Sequence, residues 1–144
     1  MKFVVLDASI AAKWYISESD SDAAQKLLDS EFLFLAPDIF FVEVAGAVIR
    51  QHREYKQLSK DDVLLATEDL LRMGIETVSS AILLSRSVDI SLALGHPIKD
   101  CFYVALAERW QTILVTADLQ LHDKVKKSEW AKFVTSLANV DEIV

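Results

Sequence analysis

The chain has 144 residues, of which 52% are hydrophobic, and it carries a net charge of −7. This length and composition predict a single domain with a sizeable core, spanning residues 1–144. No apolar run is long enough to cross a bilayer and the N-terminus lacks a signal-peptide pattern, so we expect a cytoplasmic protein with no membrane partner. The acidic charge is unusual for a nucleic-acid binder, and it also suits a basic protein partner.

The one cysteine and the three histidines form no recognisable site in the sequence. Cys101 lies in an apolar helical pattern, where we interpret it as a small buried hydrophobe rather than a nucleophile. His52, His96 and His122 are far apart and lack zinc-type spacing, so we expect each to lie on the surface or in a loop. An internal disulfide is excluded, and nothing in these residues indicates zinc chemistry.

The N-terminal half alternates short apolar runs with helical patterns. The run from Phe3 to Leu6 is wholly apolar, which is typical of a strand covered on both faces of a parallel sheet. Asp38 can cap the long helix that follows the second strand, and apolar positions extend nearly all round that helix. The elements predicted here are a strand over 2–6, a short helix within 8–16, a helix over 21–30, a strand over 32–35 and a helix over 37–55.

The C-terminal half continues the alternation and has clearer helix boundaries. Ser59 and Asp62 nearly match a capping box, Gly74 can end the helix that they begin, and Pro97 can start a later one. Strands alternating with helices predict an α/β fold around a parallel sheet. The elements predicted here are a helix over 59–73, a strand over 75–78, a helix from Ser79 or Ser80 to 94, a helix over 97–110, a strand over 112–116, a helix over 118–127 and a final strand at 133–134.

Four acidic residues lie where their neighbours are apolar. Asp7 follows the first strand, Glu43 interrupts the long helix, Asp100 opens a later helix and Asp118 follows the 112–116 strand. Because ionised carboxylates are rarely buried alone, and few basic residues are near these in sequence, their convergence would require a cation. Carboxylates suit Mg²⁺ or Mn²⁺, and open α/β sheets bind ligands at the carboxyl ends of their strands. The pattern indicates a metal-dependent enzyme that acts on phosphate groups.

Each of the four acids also has a purely structural explanation. Asp118 is a good helix cap, Asp100 favours the macrodipole of the helix that it opens, and Asp7 can accept hydrogen bonds from the amides of a strand-to-helix loop. Glu43 has the weakest explanation of this kind, because few positions around it are polar. No single acid decides between the interpretations, so the hypothesis of a metal site depends on all four.

The chain resembles the PIN-domain ribonucleases of the VapC toxin type over essentially its whole length. The resemblance rests on VLDAS at 5–9, on PDIFFVEVAGAV at 37–48, and most specifically on KDCFYVALAE at 99–108 followed by LVTAD at 114–118. It implies a three-layer PIN-like fold, with a central parallel sheet flanked by helices. It also implies a metal-dependent endoribonuclease that holds one or two Mg²⁺ or Mn²⁺ ions. The implied ligands are Asp7, Glu43, Asp100 and Asp118, with Ser9 and Thr116 as supporting residues.

The resemblance has two departures. The family often has Asn where this chain has Gly46, and Tyr where this chain has Lys99. Gly46 lies close to one helical turn after Glu43, and its lack of a side chain predicts a close approach by another backbone. Neither departure removes an acid, so we expect them to affect substrate contacts rather than the chemistry.

Basic and aromatic side chains near the acids are the predicted RNA contacts. Lys13 with Trp14 and Tyr15 could hold a phosphate and stack an unpaired base. The alternative is that Trp14 belongs to the core and Lys13 exposes only its amine. The basic residues at the end of the long helix could form a phosphate-binding rim or a solvated face. The predicted contacts are Lys13, Trp14, Tyr15, Arg50, Arg53 and Lys99.

The leading functional hypothesis is the toxin of a type II toxin–antitoxin pair, with RNA as substrate and a small antitoxin protein as partner. An RNA-processing PIN nuclease would have the same site. A phospho-acceptor signalling domain also carries acids at strand ends, but Asp7 has no acidic neighbour in sequence. A non-catalytic interaction module would not need the four acids. A homodimer is predicted because apolar residues crowd two adjacent helices, at Leu64, Leu65, Leu70, Leu71, Ile82, Leu83 and Leu84.

Overall fold

A five-stranded parallel sheet forms the centre of the molecule, in a computed structural model that describes residues 2–144. The strands are β1 (Phe3–Leu6), β2 (Leu33–Pro37), β3 (Glu76–Val78), β4 (Leu114–Thr116) and β5 (Val134–Ser136). Their order across the sheet is β3-β2-β1-β4-β5, and every pair of neighbours is parallel. The predicted α/β fold with a central parallel sheet is therefore confirmed.

Helices connect the strands and flank the sheet. A single π-helical turn, Gln51–Tyr55, extends the third helix, and two 3₁₀ segments, Ala131–Phe133 and Leu137–Glu142, surround β5. The α-helices are α1 (Ala8–Ala12), α2 (Ser21–Leu28), α3 (Phe40–Arg50), α4 (Lys60–Arg72), α5 (Ser80–Leu94), α6 (Ile98–Trp110) and α7 (Leu119–Val125).

The prediction of a helix over 37–55 is wrong at its start, and the last turn of that helix is π-helical rather than α-helical. Pro37 ends β2, the N-cap of α3 is Ile39, and Asp38 is not the cap. The π-helical turn then closes at Lys56, whose φ of 52° lies in the left-handed region. The capping box before α4 is confirmed, because Ser59 and Asp62 exchange bonds of 2.9 and 3.1 Å.

The first strand lies at the middle of the sheet, where the strand order reverses. Val5 pairs with Leu35 of β2 on one side and with Leu114 of β4 on the other. Val5 and Leu6 are fully buried, as the apolar run at the N-terminus predicts. Ligands of open parallel sheets bind at such a reversal, beyond the carboxyl ends of the strands. The ends of β1 and β4 therefore lie side by side at this point.

Helix α6 is enclosed on all sides in its middle. Seven consecutive residues, 101–107, are buried there, and they belong to the main apolar core. Cys101 is fully buried, and this burial raises the pKa of its thiol to about 11, so its interpretation as a core residue holds. Asp100, in the first turn of α6, therefore lies directly before this buried segment.

The expected close approach at Gly46 is wrong. Gly46 lies within α3 and is exposed. A Cβ atom built there would meet no heavy atom of the described residues within 4 Å, apart from its own surroundings on the helix. The space beside Glu43 is therefore open, and a side chain at position 46 would extend into it.

The apolar residues predicted to crowd α4 and α5 divide into two sets. Leu70 and Leu83 are buried and belong to the core. The rest are at least half exposed, namely Leu64, Leu65, Leu71, Ile82 and Leu84. Exposed apolar side chains of this size favour an interaction face. Among residues 2–144, no helix is both long and apolar enough to pass through a membrane.

Candidate active site

Asp7 lies at the carboxyl end of β1, directly before α1. Its carboxylate accepts a hydrogen bond of 2.6 Å from the hydroxyl of Thr116 and one of 3.3 Å from the backbone amide of Ser9. Asp7 is only 8% exposed, which makes it one of the few buried acidic groups. It caps α1, as its structural explanation predicts, but it also faces β4 across the point where the strand order reverses.

Thr116 joins the ends of the two central strands. While its hydroxyl donates to Asp7, its oxygen accepts a hydrogen bond of 3.0 Å from the amide of Asp118. Asp118 in turn caps α7, because its Oδ1 accepts from the amide of Leu121 at 3.1 Å. The second oxygen of Asp118 is not used in that cap and lies 3.9 Å from Nε2 of His96. Thr116 is thus placed to support two acids at once.

Glu43 reaches the same region from α3, on the other side of β1. Its Oε1 accepts a hydrogen bond of 2.7 Å from the phenol of Tyr103, which is buried within α6. Its Oε2 lies 3.9 Å from the ammonium of Lys99. Sequence analysis did not single out Tyr103, although it lies three residues after Asp100, close to one helical turn away.

Asp100 contacts a histidine that the sequence did not connect with the acids. The carboxylate Oδ2 lies 2.7 Å from Nε2 of His96. His96 does occupy the connection between α5 and α6, as a loop residue, but it is 5% exposed and not on the surface. An oxygen each from Asp100 and Asp118 and a nitrogen of His96 all lie within 4.8 Å of one another. The i to i+4 spacing of His96 and Asp100 was the available signal.

Burial and mutual repulsion shape the charges of these acids. Burial is the largest cause that raises the pKa of Asp7, and the charge of Asp100 raises it further, against the hydrogen bonds from Thr116 and Ser9. Burial likewise raises the pKa of Glu43, and both Asp7 and Asp100 add to the increase. Asp7, Glu43 and Asp100 therefore lie close enough to interact. Hard carboxylate oxygens that repel one another fit a divalent cation such as Mg²⁺ or Mn²⁺.

The raised pKa of Asp7 predicts how the stability of the metal-free protein depends on pH. The folded protein holds the Asp7 proton more tightly than the unfolded chain, whose value is near 3.8. The resulting stabilisation is complete below that value and is lost as pH rises through the folded pKa. Asp7→Asn has no such proton to lose. Its stability advantage over wild type in EDTA should be largest at neutral pH and should shrink as pH falls.

Urea unfolding of both proteins at a series of pH values measures this difference. Comparing the two proteins at each pH cancels the contributions of the other acids, which both proteins contain. Glu108 is an example: its bond to Arg86 lowers its pKa, so its contribution to stability increases with pH. If the stability of Asp7→Asn relative to wild type increased as pH falls, the charge of Asp7 would stabilise the folded protein, and the prediction would be wrong.

The three predicted RNA contacts in and after α1 make structural contacts. The ammonium of Lys13 pairs with Glu18 and Asp20, and only 10% of its side chain is exposed. The indole of Trp14 donates to the carbonyl of Ala24 at 2.9 Å and its ring lies 5.9 Å from that of Phe34. The phenol of Tyr15 donates to Asp69 of α4 at 2.8 Å. These contacts favour the alternative, in which the three residues support the fold.

The other predicted RNA contacts are exposed. Arg50 pairs with Glu54 at 3.0 Å and lies over the ring of Tyr55, at 5.9 Å from its centre. A groove of about 460 Å³ runs from Ser9 along the end of α3 to this arginine, and Lys13 also lines it. Arg53 faces a separate recess. Of the exposed predicted contacts, Lys99 therefore lies beside one acid, Glu43, and Arg50 lines the groove.

The fold and the acids at its central strand ends define a family. The chain belongs to the PIN-domain family, whose sequence model matches residues 4–127. This segment runs from β1 to just beyond α7 and includes all four acids, whereas β5 lies outside it. The chain is also similar to Ribonuclease VapC3 of Pyrobaculum aerophilum, with 31% identity over 126 residues. The alignment covers 86% of this chain and 95% of that protein.

Proposed function

We propose that this PIN-domain protein is a metal-dependent endoribonuclease that hydrolyses phosphodiester bonds in RNA. The observation that carries the proposal is the meeting of Asp7, Glu43, Asp100 and Asp118 around the carboxyl ends of β1 and β4. Burial raises the pKa values of two of these acids, the buried Asp7 and the half-buried Glu43. Negative charges held close together in a partly buried site repel one another, and a bound divalent cation would offset that repulsion.

The four acids would hold one or two Mg²⁺ or Mn²⁺ ions. Such an ion supplies a nucleophilic hydroxide at neutral pH and offsets the charge that develops on the phosphate. The chain's own residues fix the carboxylates for this task. Thr116 orients Asp7, and Tyr103 orients Glu43, each through a hydrogen bond of 2.6 to 2.7 Å. Both donors are buried, so water competes little for these bonds.

The surface around the acids suggests how an RNA strand would approach. Lys99 is exposed at the edge of the site, next to Glu43. The groove that starts at Ser9 and reaches Arg50 has a mixed polar and apolar lining and would bring a sugar-phosphate backbone close to this arginine. We propose that these two cations contact phosphates on either side of the cleaved bond, which offsets the net charge of −7 locally.

We propose further that residues 1–144 act as a single nuclease domain, as the toxin of a type II pair in the cytoplasm, inhibited by a small antitoxin protein. The similarity to a protein named Ribonuclease VapC3 supports this role. An RNA-processing nuclease with the same site is the second candidate. A neighbouring gene for a small basic DNA-binding protein would favour the toxin.

The exposed leucines of α4 and α5 support the proposal of a homodimer. Self-association would cover apolar surface that includes Leu64, Leu71 and Ile82. Sedimentation velocity at micromolar concentration should show a dimer, and Leu71→Lys, placed on this exposed face, should shift it towards monomer. A wild-type protein that sediments as a monomer would contradict self-association.

Cleavage of single-stranded RNA is the direct test of the proposed activity. The purified protein should cleave a labelled single-stranded RNA in Mg²⁺ or Mn²⁺ and stop when EDTA is added. Adding the metal back in excess should restore cleavage. Cleavage that continues undiminished in EDTA would contradict a metal-dependent mechanism, and an absence of cleavage in both metals on a range of RNAs would contradict the nuclease proposal.

A further inference from the structure

We infer that His96 is a positioning residue for Asp100: its buried imidazole, held between Lys124 and Asp100, donates from Nε2 and fixes the carboxylate for its cation. This inference deepens the proposed function and rests on it. It assigns a role to the connection between α5 and α6, which carries none of the four acids. It also distinguishes His96 from a metal ligand, although its nitrogen lies within 4.8 Å of oxygens of Asp100 and Asp118.

The two ring nitrogens of His96 meet opposite partners. Nε2 lies 2.7 Å from Oδ2 of Asp100, and an ionised carboxylate only accepts hydrogen bonds. Nδ1 lies 3.2 Å from the ammonium of Lys124, which only donates. The contact with an acceptor-only carboxylate therefore makes Nε2 the donor to Asp100.

The surroundings of His96 hold the ring in place. Its side chain is 3% exposed. Ser91 in α5 donates to the carbonyl of His96 at 2.6 Å, and Lys124 in α7 donates to the carbonyl of Gly95 at 2.9 Å. Gly95 itself has a φ of 62°, which turns the chain between α5 and α6. The histidine thus joins the helix that begins with Asp100 to the helix that Asp118 caps.

A hydrogen bond to one oxygen of Asp100 has two effects on a cation site. It restricts rotation of the carboxylate, and it occupies Oδ2, so the carboxylate presents its remaining oxygen in a fixed direction. Removing such partners of metal-bound groups lowers metal affinity or activity by about 10–100-fold. A His96 that ligated the metal through Nε2 would instead have to give up its proton and its bond to Asp100.

Two variants of His96 and one matched control test the inference. His96→Gln keeps an amide donor at a reach similar to Nε2, whereas His96→Leu keeps only bulk. His52→Leu removes an exposed imidazole from the π-helical turn, where its ring contacts the carbonyl of Leu58 and not one of the four acids. The measurements are Mn²⁺ affinity by calorimetry, RNA cleavage, and unfolding in EDTA for each protein. We expect His96→Leu to lower Mn²⁺ affinity by about 10–100-fold, with His96→Gln and His52→Leu near wild type.

Nitrogen-detected NMR of the wild-type protein distinguishes a positioning role from ligation of the metal. The His96 ring should carry a proton on Nε2 without metal, and it should keep that proton when Mg²⁺ is added. Loss of the Nε2 proton on Mg²⁺ binding would overturn the inference in favour of a metal ligand. This measurement needs no variant, so it stands even where His96→Leu fails to fold.

The outcomes separate this inference from the proposed function. If the wild-type protein binds Mn²⁺ and His96→Leu binds it with the same affinity, the positioning role is overturned and the nuclease proposal stays intact. Equal losses in His96→Gln and His96→Leu would show that the donor is not what matters, and would overturn it too. A wild-type protein that binds neither Mn²⁺ nor Mg²⁺ would overturn both.

Discussion

Asp100→Asn should reduce RNA cleavage by more than about 100-fold, since even the outer hydrogen-bond partners of metal ligands contribute up to that amount. The amide keeps the shape of the side chain and can still accept from His96, which lies 2.7 Å away. It removes one of the charges that raise the pKa values of Asp7 and Glu43. The metal-free variant should therefore be slightly more stable than wild type, because repulsion in the site falls.

Thermal melts in EDTA, run beside cleavage assays in Mg²⁺, separate this account from a structural one. An Asp100 that only favours the start of its helix would lose roughly 0.3–1 kcal/mol of stability on substitution and keep its activity. Asp22→Asn is a matched control, because Asp22 is also in the first turn of a helix but is exposed and far from the four acids in sequence. Full cleavage by Asp100→Asn would remove Asp100 from the mechanism.

Manganese should stabilise the wild-type protein strongly. At a concentration about 100 times its dissociation constant, an ion that binds only the folded state adds about 2.7 kcal/mol. For a chain of 144 residues this corresponds to a rise in Tm of about 5–10 °C. Asp7→Asn should abolish most of the rise, because Asp7 is the most buried of the four acids and the only one bonded to Thr116 through its side chain.

The same variant should melt higher than wild type when no metal is present. Burial opposes the charge of Asp7, so removing that charge relieves a cost that the bound ion otherwise offsets. Scanning calorimetry in EDTA and in Mn²⁺, with Asp22→Asn as the control, measures both effects. An Asp7→Asn protein that is less stable in EDTA and still gains the full increase in Mn²⁺ would contradict a role for Asp7 in the cation site.

The order of strands and helices was predictable because each element has a local signal. The apolar run before Asp7 gave β1, and the Ser59 capping box gave the start of α4. The boundaries near Pro37 were not predictable in the same way. Pro37 is typical of the first turn of a helix, yet here it pairs with Val78 at the end of β2. That pairing joins residues 41 positions apart, and no local pattern reports it.

The four candidate acids were predictable for a similar reason, since each follows a strand, opens a helix or interrupts an apolar helix. Their partners were not. Tyr103 looks like any other aromatic residue of a buried helix, and only the fold brings its hydroxyl to Glu43, 60 residues away in sequence. Lys124 reaches His96 across 28 residues. Trp14 and Tyr15 show the converse, because their aromatic character allowed base stacking as well as a structural role, and only the fold reveals the partners of both side chains.

The central position of β1 has a consequence for how the protein is made. One neighbour of β1, β2, leaves the ribosome soon after it. The other neighbour, β4, ends at Thr116, 109 residues after Asp7. Pairing over such a long separation carries a large loop-closure entropy and forms late. Until then one edge of β1 is open and Asp7 has neither Thr116 nor Asp118 beside it. Chemistry that needs these acids together is therefore withheld from the growing chain, and becomes available only after β4 has been synthesised and has paired with β1.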